Sequence, residues 1–279
     1  MESNGRVALV TGCGKRDGIG AAIARRLAAD GFALVVVDVE PGGVRDTHEP
    51  VRAGESEWRG VESLVAEIEA AGGRASFVTG DISVEKDVAR IIGHAVERFG
   101  RLDVLVNNAG APFSLGHGDV EVVDPAEFDR VMAINVRGTF LMGRAAAADM
   151  RKRGWGRIVN IASVAGRVGS RQNSAYAASK AAVIALSQTW ALDLGPDGIT
   201  SNAVLPGFIF TTRTLSGMSK KLGKTELDEE TIARASPSTP VGRAGAPEDV
   251  AAAVAFLVSD AAAFTNGQSL IVDGGNLRL

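Results

Sequence analysis

Apolar and polar positions along the chain repeat one unit. A nearly unbroken apolar run at residues 6–10 leads into a glycine-rich turn, and residues 21–29 then carry apolar side chains at helical spacing until Asp30-Gly31. A second apolar run, 32–37, ends at Asp38. Residues 41–60 break the rhythm with many glycines and charges, after which helical patterns at 61–71 and 84–99 alternate with strand patterns at 74–79 and 102–106. The spacing then predicts a long helical region over 125–153, a strand at 157–162, a helix at 175–194, a strand at 199–205, a helix at 247–259 and a last strand at 269–272. Residues 211–246 read as a mixed polar stretch. Strand patterns this continuous do not belong to half-exposed sheets. About seven of them separated by helices predict an α/β fold, one domain built on a doubly wound parallel sheet with helices on both faces. Ligands of such sheets bind at the carboxyl ends of the strands. Gly12, Asp38, Asp81, Asn107, Ser163 and Pro206 follow or finish strands, so they are expected along a single edge.

The first unit gives that edge a chemistry. Strand, glycine loop (Gly12, Gly14, Gly18, Gly20), helix and second strand follow in order, and Asp38 stands 18 positions after Gly20. Glycines let backbone approach a pyrophosphate resting on a helix N-terminus, and an acidic residue at this distance can grip ribose hydroxyls. The context predicts a Rossmann-type dinucleotide site. No Gly-x-Ser-x-Gly elbow is present, which argues against a hydrolase of that design.

A second candidate is one turn of helix, Tyr176 to Lys180. The chain has a single tyrosine, and a lysine four places later shares its helix face. A free phenol titrates near 10, and work as a base near neutrality requires lowering that by roughly 3 units, about 4 kcal/mol. One ammonium about 4 Å away, at an effective dielectric of about 20, supplies something of that order. Ser174 is expected to cap this helix and so to place the phenol in its first turn. Taken alone, the pair is equally an amphipathic tyrosine beside a surface lysine.

Composition narrows the field. A net charge of -3 leaves no basic excess for nucleic acid. The one cysteine, Cys13, excludes an internal disulfide and suits a reducing cytoplasm. His48, His94 and His117 are too far apart in sequence to form a local ligand pair, so no metal is expected. No apolar run reaches the length of a membrane span, and the first residues lack the form of a signal peptide.

Together these motifs resemble the short-chain dehydrogenase/reductase family, from residue 7 to about residue 275. Members carry Thr-Gly-x-x-x-Gly-x-Gly, an aspartate after the third strand, Asn-Asn-Ala-Gly, a helical asparagine, a serine after the fifth strand, Tyr-x-x-x-Lys and Pro-Gly. In the same order this chain has Thr11-Gly12, Gly18-Ile19-Gly20, Asp81, Asn107-Asn108-Ala109-Gly110, Asn135, Ser163, Tyr176 with Lys180, and Pro206-Gly207. The resemblance implies an enzyme interconverting a secondary alcohol and a ketone by hydride transfer. Tyr176 would be acid and base, Ser163 would hold the substrate oxygen, Lys180 would lower the tyrosine pKa and bond the nicotinamide ribose, and Asn135 would hold a water leading from Lys180 to solvent. Gly12, Gly18, Ile19 and Gly20 would meet the pyrophosphate, Asp81 and Ile82 the adenine, and Asn108, Ala109 and Gly110 the ribose. Pro206, Gly207, Ile209 and Thr211 match positions around the carboxamide. Asp38 favours NAD, because a 2'-phosphate of about -1.5 to -2 charge would be repelled there; Lys15 and Arg16 argue weakly for NADP.

Two features depart from the family pattern. Five residues separate Gly12 from Gly18 where three are usual, and 41–60 is an insertion. Residues 112–118, 164–170 and a lid at about 211–246 are expected around the substrate, with Phe113, Phe208 and Phe210 suggesting a partly apolar pocket. A reductase of carrier-bound 3-oxoacyl thioesters using NADPH is the rival reading, with Arg137, Arg144 and Arg167 as candidate carrier contacts. A silent dinucleotide sensor on the same fold is the second. The resemblance also implies a homotetramer or homodimer joined through helices 125–153 and 175–194.

Overall fold

The computed structural model describes residues 5–49, 57–223 and 239–278. Seven parallel strands form one sheet: β1 (Val7–Thr11), β2 (Ala33–Asp38), β3 (Arg74–Thr79), β4 (Val104–Asn107), β5 (Gly156–Ile161), β6 (Ile199–Pro206) and β7 (Ser269–Val272). Their spatial order is β3-β2-β1-β4-β5-β6-β7, so the direction of winding reverses between β1 and β4. Alternate residues of each strand enter opposite cores, as the pleat requires. Ala8, Val10, Leu34, Val36, Val104, Val106 and Val159 pack under α1 (Ile19–Ala29), α2 (Val61–Ala70) and the helix Pro247–Val258. Val7, Leu9, Val35, Leu105 and Ile158 face α3 (Glu85–Phe99), the helix Thr139–Arg151 and the helix Ser174–Leu194. Gly143 admits the Trp190 ring, since a side-chain carbon there would lie 2.3 Å from it.

The long helical region is three pieces, α4 (Pro125–Met132), a π-helical turn (Ala133–Gly138) and α5 (Thr139–Arg151). Asp124 caps α4 by accepting the Ala126 N–H at 2.8 Å, and Pro125 occupies the first turn. The π turn carries Asn135; such turns are rare and gather at functional sites. Helix α6 (Ser174–Leu194) corrects one expectation. Asn173, not Ser174, holds the cap position, and it makes no side-chain cap; the helix starts one residue early, which leaves Ser174 inside the first turn. Tyr176 remains in that turn. The mixed stretch also hides α7 (Thr212–Leu222), started by a reciprocal box in which Thr211 and Thr214 each accept the other's backbone N–H. Its serines, threonines and Gly217 mask the helical period. Residues 224–238 of the expected lid and 50–56 of the insertion lie outside the described residues. Helix α8 (Pro247–Val258) completes the layer over α1.

Candidate active site

The strand order places Gly12 and Asn108 at the reversal point, where the carboxyl ends of β1 and β4 diverge. Thr11 joins the two turns: its hydroxyl accepts the N–H groups of Asn108 and Ala109, each at 3.0 Å. The Asn108 amide returns two bonds, to the carbonyls of Thr11 (2.8 Å) and Gly12 (3.0 Å). Glycine is required on both sides of this seam. A side-chain carbon on Gly12 would lie 2.8 Å from Ala109 Cα, and one on Gly20 would lie 2.2 Å from the Gly12 carbonyl oxygen.

The longer glycine loop and the 41–60 insertion turn out to serve each other. Gly14 lies so close to the insertion that a side-chain carbon would fall 2.3 Å from the Gly43 nitrogen. The Trp58 indole donates to the Gly14 carbonyl at 2.7 Å, and Lys15 Nζ donates to both oxygens of Glu49 at 2.8 and 3.0 Å. Asp17 accepts the Thr212 hydroxyl at 2.6 Å, which anchors the start of α7 to the same loop. The insertion also reaches the far loop, where buried Asp46 accepts the Ser114 N–H at 2.8 Å.

The edge fits a dinucleotide. Gly18 caps α1 without a side chain, so the first-turn amides of Ile19 and Gly20 meet no side-chain acceptor among the described residues. Asp38 accepts the N–H groups of Gly14 and Val39, each at 2.8 Å, and keeps lone pairs for further donors. Burial raises its carboxyl above the usual range against the pull of those amides and Lys15. Asp81 is held below its usual range: Ser83 and Arg130 outweigh the effect of burial. The Ile82 side chain packs beneath Gly138 in the core. At the end of β6, Gly245 bonds Phe210 and Phe208, leaving the N–H and C=O of Ile209 out of that bridge. The Ile209 side chain is buried, and the Thr211 hydroxyl is taken by the α7 cap. Gly207 sits against Asp273, with room for no side chain.

Tyr176, Ser163 and Lys180 come together at the carboxyl end of β5. Ser163, two residues past the strand, caps a short 3-10 turn by accepting the Ala165 N–H at 3.2 Å and hydrogen-bonds the Tyr176 phenol. Lys180 is buried, lies 5.6 Å from the Tyr176 ring centre and donates to the Ile161 carbonyl at 2.7 Å. Above the same ring lies Arg213 of α7, its guanidinium carbon 5.1 Å from the ring centre and one nitrogen bonded to the Ala111 carbonyl. Burial pushes the phenol up, but Lys180, Arg213 and the Ser163 bond together bring it below its ordinary value. Burial and Arg213 lower the Lys180 ammonium, while Tyr176 works the other way. Asn135 is buried with its side chain fully engaged. It accepts the Ala111 N–H at 2.8 Å and donates to Ser179 at 2.9 Å, tying the Asn-Asn-Ala-Gly turn, where Gly110 approaches it closely, to the Tyr176 helix.

The 112–118 loop reaches the site as well. Gln172, the one described non-glycine residue with positive φ (56°), presents its carbonyl to the Gly118 N–H at 3.0 Å. The rings of Phe113 and His117 are 4.5 Å apart. Arg213, Glu49, Asp46 and Gln172 were not singled out by the sequence. Only Arg213 left a signal, a charge two places after Thr211 in a segment expected over the pocket. Cys13 is buried, its thiol pushed up by burial and Asp38. No metal-binding cluster and no helix long and apolar enough to cross a membrane occur among the described residues.

Comparison with known proteins adds a consistent set of relatives. The sequence model of a family described as enoyl-(acyl carrier protein) reductase matches residues 12–276. The short-chain reductase NovJ of Streptomyces niveus is 39% identical over 272 residues, covering 96% of this chain and 93% of NovJ. The 2-(S)-hydroxypropyl-CoM dehydrogenase 3 of Xanthobacter autotrophicus is 38% identical over 269 residues, covering 96% of this chain and 95% of the relative. Among solved structures, levodione reductase matches with a TM-score of 0.84 at 35% identity, covering 96% of each chain.

Proposed function

Because the chain belongs to the short-chain dehydrogenase/reductase family and is an NAD(P)-dependent oxidoreductase of alcohol and carbonyl groups, we propose that it interconverts a secondary alcohol and a ketone using NAD, with Tyr176 as acid and base. The observation that carries this is the flanking of a single half-buried phenol by two cations and a serine hydroxyl. At an effective dielectric of about 20, a unit charge 5 Å away is worth about 3 kcal/mol, the scale on which two cations offset the burial of one phenol. Tyr176 then takes the proton from a substrate hydroxyl in oxidation and returns it in reduction. Ser163 donates to the same oxygen and steadies charge as it develops. Lys180 keeps two of its three donors for groups beyond Ile161, the ribose of the family among them. Asn135 acts as a positioning residue for the helix that bears Tyr176. The coenzyme, when bound, supplies the hydride acceptor or donor.

The preference for NAD rests on charge. Asp38, at the carboxyl end of β2, would repel a 2'-phosphate, and Lys15, the loop cation best suited to welcome one, is already held by Glu49. The names of the relatives support a secondary alcohol or ketone of small size. The lid expected at about 211–246 belongs to this proposal, and its described helix α7 is tied to the glycine loop by the Thr212–Asp17 bond. Assembly into a homotetramer or homodimer through α4, α5 and α6 belongs to it too, as Phe140 and Leu192 remain exposed there. So does a cytoplasmic setting, with one buried free thiol. The thioester reading loses ground, because Arg137 is spent on the Ser83 carbonyl and Arg144 on Glu85. The intact Ser163, Tyr176 and Lys180 set disfavours a silent sensor. A panel of secondary alcohols, ketones and one 3-oxoacyl thioester, read by reduced-nicotinamide absorbance with each coenzyme, tests the proposal. Turnover confined to the thioester with NADPH would refute it.

A further inference from the structure

We propose that the substrate bears a carboxylate and that Arg213, at the first turn of α7 over the Tyr176 ring, receives it. This rests on the reading of Tyr176 as proton carrier and adds the substrate class. Among the described residues Arg213 has no carboxylate within ion-pair distance; its guanidinium lies over the Tyr176 ring instead. One nitrogen is used on the Ala111 carbonyl, which holds the guanidinium in place and leaves most of its five donors unspent.

The charges beside the ring are positive, and the nearby carboxylates of Asp17, Asp46 and Glu127 are each engaged by a hydroxyl or a backbone N–H. Arg213, Gly217 and Lys220 occupy i, i+4 and i+7 of α7 and so share one face. Phe113 packs on that face at Gly217, where a side-chain carbon would meet its ring at 3.2 Å, and it brings His117 alongside. Burial, Lys220 and Arg213 lower the pKa of the His117 imidazole. Lys180 adds a second buried cation below the ring. Among the described residues no Asp or Glu is a cause of the shifts of Tyr176, Lys180 or His117. A half-buried fork of donors beside an aromatic ring, with no carboxylate paired to it among the described residues, matches a planar carboxylate taken in bidentate fashion. A residue serving only to pin α7 would need the Ala111 bond and nothing else.

The test compares 2-, 3- and 4-oxo acids with their methyl esters, in the unmutated enzyme and in Arg213→Gln and Arg213→Lys. The expected result is a wild-type preference for one acid over its ester. That ratio of kcat/KM values should fall about 10- to 100-fold in Arg213→Gln, the loss of a charge-assisted hydrogen bond, and less in Arg213→Lys. Both substrates slow in these variants because Arg213 also acts on Tyr176, so the ratio is the readout. A second arm titrates benzoate and benzamide into the NADH-bound protein by thermal shift. Benzoate should bind, benzamide should not, and Arg213→Gln should lose the difference. An unchanged ratio with an equal slowing of both substrates, or a wild type indifferent to acid and ester, overturns the proposal. So does benzoate binding that survives Arg213→Gln. Should no substrate turn over while benzoate binding still depends on Arg213, the hydride-transfer reading fails and the anion site stands.

Discussion

The two ends of the candidate site treat their polar groups in opposite ways. At the adenosine end nearly every charge has a protein partner: Asp38 takes two backbone amides, Lys15 is closed by Glu49, Asp17 by Thr212, and Asp81 by Ser83 and Arg130. At the hydride end Lys180 makes one hydrogen bond to a carbonyl, Arg213 makes one, and neither is paired with a carboxylate among the described residues. Pairing fixes a shape before a ligand arrives. Leaving buried charge unpaired costs stability and holds an electrostatic field that only a reacting or binding group can satisfy. Under the proposed function the first end would recognise the coenzyme and the second would carry the reaction.

That contrast can be broken at its sharpest point first. Tyr176→Phe should lower kcat by about 10²- to 10⁴-fold while NADH still binds, as followed by nicotinamide fluorescence. Gly14→Ala should be the next most damaging of these changes, because its new carbon would meet Gly43 backbone at 2.3 Å; weaker NADH binding and a lower Tm are expected together. Next comes coenzyme choice. Asp38→Ala should raise the NADP-to-NAD ratio of kcat/KM by more than about 10-fold, and Glu49→Gln, which frees Lys15, should move it the same way by a smaller factor. Equal use of both coenzymes by the unmutated enzyme would remove the charge argument. Trp58→Phe should have the smallest effect: one hydrogen bond lost, about 1 kcal/mol, or a Tm lower by about 2–4 °C, with kcat nearly untouched.

Sequence reached some of this and missed the rest for identifiable reasons. The central strands and the sheet edge bearing Gly12, Asp38, Asp81 and Ser163 were legible because buried parallel strands are apolar throughout and ligand residues sit at their ends. Tyr176 stood out because the chain has no other tyrosine. The π turn at Asn135 was invisible, since a single wide turn leaves the hydrophobic period of its neighbours intact. Helix α7 was hidden by its threonines and serines, whose capping role only coordinates reveal. The service that Glu49 and Trp58 render to the glycine loop joins residues 34 and 44 positions apart, and no local pattern encodes such a contact. Arg213 was lost in a stretch read as a mixed lid.

The most direct test of the central claim exploits that lone phenol. The near-ultraviolet phenolate band of the folded protein reports Tyr176 alone, because the three tryptophans do not titrate. Lys180 and Arg213 favour the phenolate, so the absorbance midpoint should fall below the ordinary phenol value of about 10 and move upward in Lys180→Met and again in Arg213→Gln. A midpoint at or above that value in the unmutated protein, indifferent to both substitutions, would contradict the account.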